Sequence, residues 1–365
     1  MYQHSVAAGP AGRRRAMLVY LALAAPPACL AATQQGLPTL PSYQGRPVTL
    51  SPADLAAAAR GDPVIQLLES PDPRVVAVFG LVAVSVPRSF FASRVGDVAQ
   101  SLRSAGRSQS GVFATPATPA DARSVTLSAA ELAGLRACKP GSCEFKLPAS
   151  DMSQMRTILD KGGAAAQAEV SRYVLKRAAD HVNAYRERGS AAMVTYDDYG
   201  STGVRSGEAF AALLQGATPF LSQYSPAVQE YLSAYPHKRP EGAKDIIYWL
   251  REEMSGMRAT VSISHLTVYS PADRPQVTVA VTKQIFADHY FEGALDVLVA
   301  STRADVPKAE GIYLMLLRQY RFDHLPGGVL GIRARVKGRV RERADADLRR
   351  LKGDYQAAWA RRRPQ

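Results

Sequence analysis

Residues 282–295 read TKQIFADHYFEGAL and gather a histidine, two acids and three aromatic rings. His289, Glu292 and the more distant His265 could ligate a metal if the strand bends at Gly293. A structural zinc site takes four protein ligands and a catalytic one three, and no spacing here is a recognised metal signature. Asp288 and His289 are adjacent, and neighbours on an extended strand point to opposite faces, so adjacency does not make them a catalytic dyad. The paired acids of Tyr196-Asp197-Asp198-Tyr199 fit a solvated strand end as well as they fit glycoside chemistry. The chain holds no GxSxG elbow, no HExxH and no phosphate-binding glycine loop. These residue types point to a pocket wall that positions a guest, with no cofactor and no metal required.

The elements around that stretch set its faces. Residues 258–269 (RATVSISHLTVY) and 276–286 (QVTVAVTKQIF) alternate in polarity about the turn SPADRP, the pattern of an antiparallel hairpin. Odd positions give Val261, Ile263, His265, Thr267 and Tyr269, then Val277, Val279, Val281, Lys283 and Ile285. Even positions are mostly Thr, Ser and Gln, with Leu266, Val268, Ala280 and Phe286. The odd face is therefore read as the buried one. Setting Tyr269 opposite Val277 places His265 against Val281 and Lys283 against Ile263. Polar groups on a buried face cost free energy unless paired or facing a wet cavity. This predicts a pocket lined by His265, Lys283 and Tyr269, with His289 at its rim and Phe291 also among the ligand-binding residues. Arg318, with Arg321 and Asp323, either holds an anionic headgroup at its mouth or forms a surface ion pair.

Further elements follow from pattern. Residues 74–86 are a buried strand stopped by Pro87. Ser51 to Asp54 and Ser128 to Glu131 are helix starts, the second a capping box. Short strands are expected at 111–114, 144–147 and 192–199, and helices at 164–188, 206–215 and from Ser225-Pro226 to Tyr235-Pro236. Strands are expected at 291–300 and 312–320. After LPGG (325–328), Ile332, Val336, Val340, Ala344, Leu348, Leu351, Tyr355 and Trp359 form the stripe of one long helix. The sum is an α+β domain: an antiparallel sheet packed on a long C-terminal helix, over residues 74–363, with a helical insertion at about 128–250 and an extended lead-in with a short helix at 32–73.

The 365 residues are 47% hydrophobic and 21% charged, with a net charge of +13. That balance builds a substantial core and favours polyanions outside it. Arg13-Arg14-Arg15 precedes an apolar run, a Pro26-Pro27 break and small residues, the layout of a secretory signal peptide over residues 1–31. A periplasmic or secreted protein is expected. Export argues against nucleic acid and leaves a lipid or an anionic membrane surface as partner. Of the mature +10, +8 lies between Arg333 and Arg363. Cys138 and Cys143, in CKPGSC, face each other across a Pro-Gly turn, and a disulfide is expected in an oxidising compartment.

The order VFGLVAVSVP, helices, antiparallel strands, LPGG and a long terminal helix resembles the START-type helix-grip superfamily, over about 74–103 and 258–360. That resemblance implies a ligand cavity enclosed by sheet and terminal helix. YWLREEM, SISHLTVY, KQIFADHYFEGAL and YRFDHLPGG resemble an uncharacterised family of exported bacterial proteins, which brings no activity with it. The reading is binding of a hydrophobic or amphipathic small molecule without chemistry. The alternatives are an exported hydrolase using the His265/His289 region and an envelope interaction protein without a ligand.

Overall fold

The computed structural model describes residues 38–98, 109–252, 258–306, 310–323 and 331–362. Residues 1–31, expected to be a signal peptide, and LPGG lie outside the described residues. The centre of the molecule is one antiparallel sheet. Its strands in chain order are β1 (Val64–Leu68), β2 (Val75–Val84), β3 (Ser110–Val112), β4 (Lys244–Glu252), β5 (Thr260–Tyr269), β6 (Val277–Ala287), β7 (Phe291–Thr302) and β8 (Ile312–Phe322). Across the sheet the order is β1-β2-β8-β7-β6-β5-β4-β3. Four consecutive hairpin connections carry the chain from β4 to β8, and β8 closes against β2.

Both faces are covered, and this explains the unbroken apolar run of β2, in which every residue is buried. Even-numbered Val76, Val78, Val82 and Val84 face the terminal helix α8 (Ile332–Ala360) and α2 (Arg88–Arg94). Odd-numbered Ala77, Phe79, Leu81 and Ala83 pack with α6 (Ser206–Tyr224) and α7 (Pro226–Ala234). The remaining helices are α1 (Pro52–Arg60), α3 (Ala129–Ala137), α4 (Ala149–Leu159) and α5 (Gly163–Arg188). Ser51 and Asp54 cap α1 reciprocally, as Ser128 and Glu131 cap α3. The architecture is an α+β sheet packed on a long C-terminal helix, the helix-grip arrangement, with a helical insertion.

Helix α8 is continuous, and Val340, Ala344, Leu348, Tyr355 and Ala358 are its buried residues. Its stripe packs mainly on β2 and β1, at the end of the sheet away from the β5–β6 hairpin. Gly80 makes the approach possible: a Cβ there would stand 2.7 Å from Leu348 Cδ1 and 3.0 Å from Ile65 Cδ1.

Several elements depart from expectation. Residues 244–252, expected in the helical block, are strand β4, next to the edge strand β3, because Ile246, Tyr248 and Leu250 face one side while Ile247 and Trp249 face the other. Helix α6 does not stop at Gln215 but runs through Pro219, since Ala217, Phe220, Leu221 and Tyr224 continue its buried face. Residues 144–147 join no ladder: Lys146 N–H donates to Asp288 O and Leu147 O accepts from Asp197 N–H, bridging two loops. Of 192–199 only Thr195–Tyr196 is strand. The hairpin register is two residues from the one expected, with Tyr269 opposite Val279 and Lys283 opposite His265. The first residues of β6 pair with β7 instead, Val277 facing Ser301. A shift of two keeps the faces. The bulge between Gln284 and Phe286 does not: Phe286 turns to the insertion side and Ala287 to the α8 side.

Candidate functional site

A cavity of about 250 Å³ lies between the even face of the sheet and α8. Ala280, Thr282 and Gln284 of β6 form its floor with Ser262, Ser264 and Leu266 of β5. Tyr248 and Leu250 stand on one side, Leu316 and Tyr320 on the other. Val95 and Val98, after α2, and Leu351 of α8 complete an apolar wall. The Ser and Thr residues that made the even face look solvent-exposed in the sequence are thus enclosed: Ser262, Ser264 and Gln284 are all buried. Tyr248, whose hydroxyl meets Thr282 and Ser264, has its pKa pushed up to about 12 by burial and is a neutral phenol. The side chains of Ser262 and Gln284 line the cavity as well and add to its polar floor.

One rim is ionic. Arg318 of β8 donates through Nε and Nη2 to Asp296 at 3.0 and 2.7 Å, and through Nη1 to Asp347 of α8 at 2.9 Å. Burial works against its charge, but Asp296 and Asp347 hold it firmly protonated. Asp347 is depressed below the usual carboxylate range: its burial is outweighed by Arg318, Arg343 and Arg350. Arg343 reaches Glu252 of β4 at 2.9 Å and Asp347 at 3.3 Å. Arg318, Arg343 and Arg350 face Asp296, Asp347 and Glu252 in the lining, so the cations and anions balance. The exception in hydrogen bonding is Arg350 Nη1, which is buried without a hydrogen-bond partner, 3.6 Å from Asp354. A pocket with apolar walls, a hydroxyl floor and one spare buried N–H donor suits an uncharged amphipathic guest carrying an oxygen acceptor.

Arg318, the residue expected at a pocket mouth or in a surface ion pair, lines this cavity as a buried ion-pair centre. The other residues expected at the ligand do not line it. The odd face on which His265 and Lys283 stand is covered by α5 and α6, and its polar groups are satisfied by protein. His265, fully buried, bonds Tyr185 Oη through Nδ1 and Asp245 through Nε2, each at 2.9 Å. Burial lowers its pKa against the pull of Asp245. Lys283 Nζ donates to Ser190 Oγ at 2.8 Å and lies 3.9 Å from the Phe210 ring centre and 4.9 Å from that of Tyr185. Burial takes its pKa down to about 7. The alternation in the sequence found the buried face; the partners came from α5, α6 and β4, which the hairpin pattern does not contain.

His289 and Asp288 also differ from expectation. They are hydrogen-bonded, Nδ1 to Oδ1 at 2.9 Å. Strand alternation does not apply, because β6 ends at Ala287 and a tight turn with Tyr290 at φ 60° follows. His289 is buried against Phe145, ring centres 4.7 Å apart, and its Nε2 has no partner among the described residues. Glu292 is no partner of His289; it pairs with Arg74 and Arg321. His265 and His289 have no hydrogen-bond partner in common. Tyr269 packs on the α6 side, and Phe291 on the α8 side against Tyr320 and Phe322 at 5.1 Å. Cys138 and Cys143 are joined, Cα atoms 4.4 Å apart. Among the described residues no group of three or more His, Cys, Asp or Glu stands together to hold a metal.

The cavity residues that the sequence reading missed are Tyr248, Ser262, Ser264, Gln284, Asp296, Arg343, Asp347 and Arg350. Their signal was present in part: a polar even face on strands whose odd face is also buried marks a sheet enclosed on both sides. No protein-family model matches the chain, and no curated protein matches it. Among solved structures, the Zhui aromatase/cyclase from Streptomyces sp. R1128 is similar over 35% of this chain and 80% of its own, at 16% identity and a TM-score of 0.23.

Proposed function

We propose that the protein binds, without transforming it, an uncharged amphipathic small molecule between the sheet and α8. The observation that carries this is the cavity of about 250 Å³ whose apolar walls meet the polar side chains of Ser262 and Gln284 and the buried donor Arg350 Nη1. Apolar area drives the guest in, and the few polar groups orient it. With cations and anions balanced in the lining, an ionised guest would find no net opposite charge there. A lipid with a neutral, oxygen-bearing head meets this description. We place the protein outside the cytoplasm, in keeping with the basic and apolar pattern of residues 13–32 and with the Cys138–Cys143 bond.

A contact with anionic membrane surfaces is the second part of the reading. Arg333, Arg335, Lys337, Arg339 and Arg341 occupy the start of α8, and its first turn has no acid. Arg333 and Arg335, in that first turn, oppose the helix dipole, which favours an external anion there. No helix among the described residues is long and apolar enough to cross a membrane. Native mass spectrometry of the protein recovered from its host tests the binding function. Retained mass that dissociates as one class of neutral amphipathic molecule is expected. Bare protein, together with no uptake from a neutral lipid extract, would overturn it.

A further inference from the structure

A second cavity, of about 110 Å³, lies on the opposite side of the sheet beneath the insertion. We propose that it is a separate binding site for a small uncharged apolar molecule of about one aromatic ring. The bulge in β6 makes it: by reversing the strand's alternation it aims Phe286 at the insertion beside Ile263 and Trp249. Phe145, Met155 and Ala178 close it from the insertion side.

The polar side chains that reach this lining are already engaged. Asp288 accepts from Val261 N–H at 2.8 Å and meets His289 at 2.9 Å. Asp151 accepts from Tyr173 at 2.6 Å and Arg177 at 2.9 Å. Glu131 accepts from Arg251 and from the Ser128 backbone. His181 Nε2 bonds Ile285 O at 3.1 Å. Burial brings the pKa of His181 down to about 4, so the ring is neutral. What is left for a guest is carbon. Water needs two to four polar partners and is poorly held in such a space, whereas an apolar cavity of about 150 Å³ takes benzene or xenon. At about 110 Å³ this one takes a guest of that size or slightly smaller. The site is chemically unlike the one under α8, with its hydroxyl floor, and does not depend on it.

Trp249 reports on the site directly, since its indole N–H is fixed to Asp121 O at 2.9 Å and its ring lines the cavity. The chain has two tryptophans, so Trp359→Phe leaves Trp249 as the sole emitter. Titration of this variant with benzene should give a saturable change in emission and a rise in Tm. Ala178→Leu, which fills the cavity, should weaken the response at least tenfold. A response that never saturates, or one unchanged by the filling substitution, overturns the proposal. Should Ala178→Leu not fold, a crystal of the unsubstituted protein pressurised with xenon decides. A xenon peak bounded by Phe145, Met155 and Phe286 supports the site, and its absence there refutes it.

Discussion

Replacing Lys283 with methionine should make the protein more stable at neutral pH and less dependent on pH. Lys283 is fully buried, with one recorded hydrogen bond to Ser190 and two rings around its amine. Burial lowers its pKa from 10.5 to about 7. At about 1.36 kcal/mol for each unit of pKa, the protonated amine costs the fold about 5 kcal/mol relative to the neutral one. The sign follows from proton counting. Between pH 7 and 10.5 the unfolded chain holds this proton and the folded chain does not, so stability rises with pH by up to about 1.4 kcal/mol per pH unit. Below pH 7 both states hold the proton and the penalty is complete. Methionine has similar length and no charge. It forfeits the bond to Ser190, worth about 1 kcal/mol, so a net gain of about 3 kcal/mol is expected at pH 7. Urea unfolding of both proteins at pH 7.5, 8.5 and 9.5 measures it. Groups common to both, including Glu292 with its pKa near 7, cancel in the difference. The advantage of Lys283→Met should shrink by about 2 to 3 kcal/mol across that range. A difference that stays flat, or a variant less stable at pH 7.5, would refute the account of Lys283 as a desolvated lysine.

Val340→Asp places an uncompensated charge in the core between α8 and β2 and should cost about 3 kcal/mol or more, read as a fall in Tm. Gly80→Ala drives a methyl into Leu348 and Ile65, and chemical unfolding should register a loss of about 1–3 kcal/mol. Reduction of Cys138–Cys143 should raise the intact mass by two hydrogens and cost at most about 2 kcal/mol, because the closed loop is short.

The terminal helix, the β5–β6 hairpin and strand β2 were legible in the sequence because each buries a periodic face long enough to be counted. Strand β4 was not, since both of its faces are covered and Ile246-Ile247-Tyr248-Trp249-Leu250 shows no alternation. The same double burial misdirected the reading of the site. On a sheet with one solvated face, Ser262, Ser264, Thr282 and Gln284 would mark the outside. Here α8 closes over them, and they become the polar floor of the cavity. His265 and Lys283 were rightly placed on a buried face. The groups that satisfy them, Tyr185, Asp245 and Ser190, come from segments 20 to 93 residues away, beyond the reach of local spacing. The pairing of Asp288 with His289 depends on the backbone turn at Tyr290, a positive φ at a residue type that gives no warning of it.

Binding in the cavity under α8 is the central claim. Ala280 lies on its floor and is buried, so Ala280→Phe fills the space without adding charge. Titration with the neutral amphipathic fluorophore Nile red, on the unsubstituted protein and on the folded Ala280→Phe variant, tests the claim directly. Saturable one-to-one binding that weakens at least tenfold in the variant is the expected result. Equal affinity in the two proteins would contradict it.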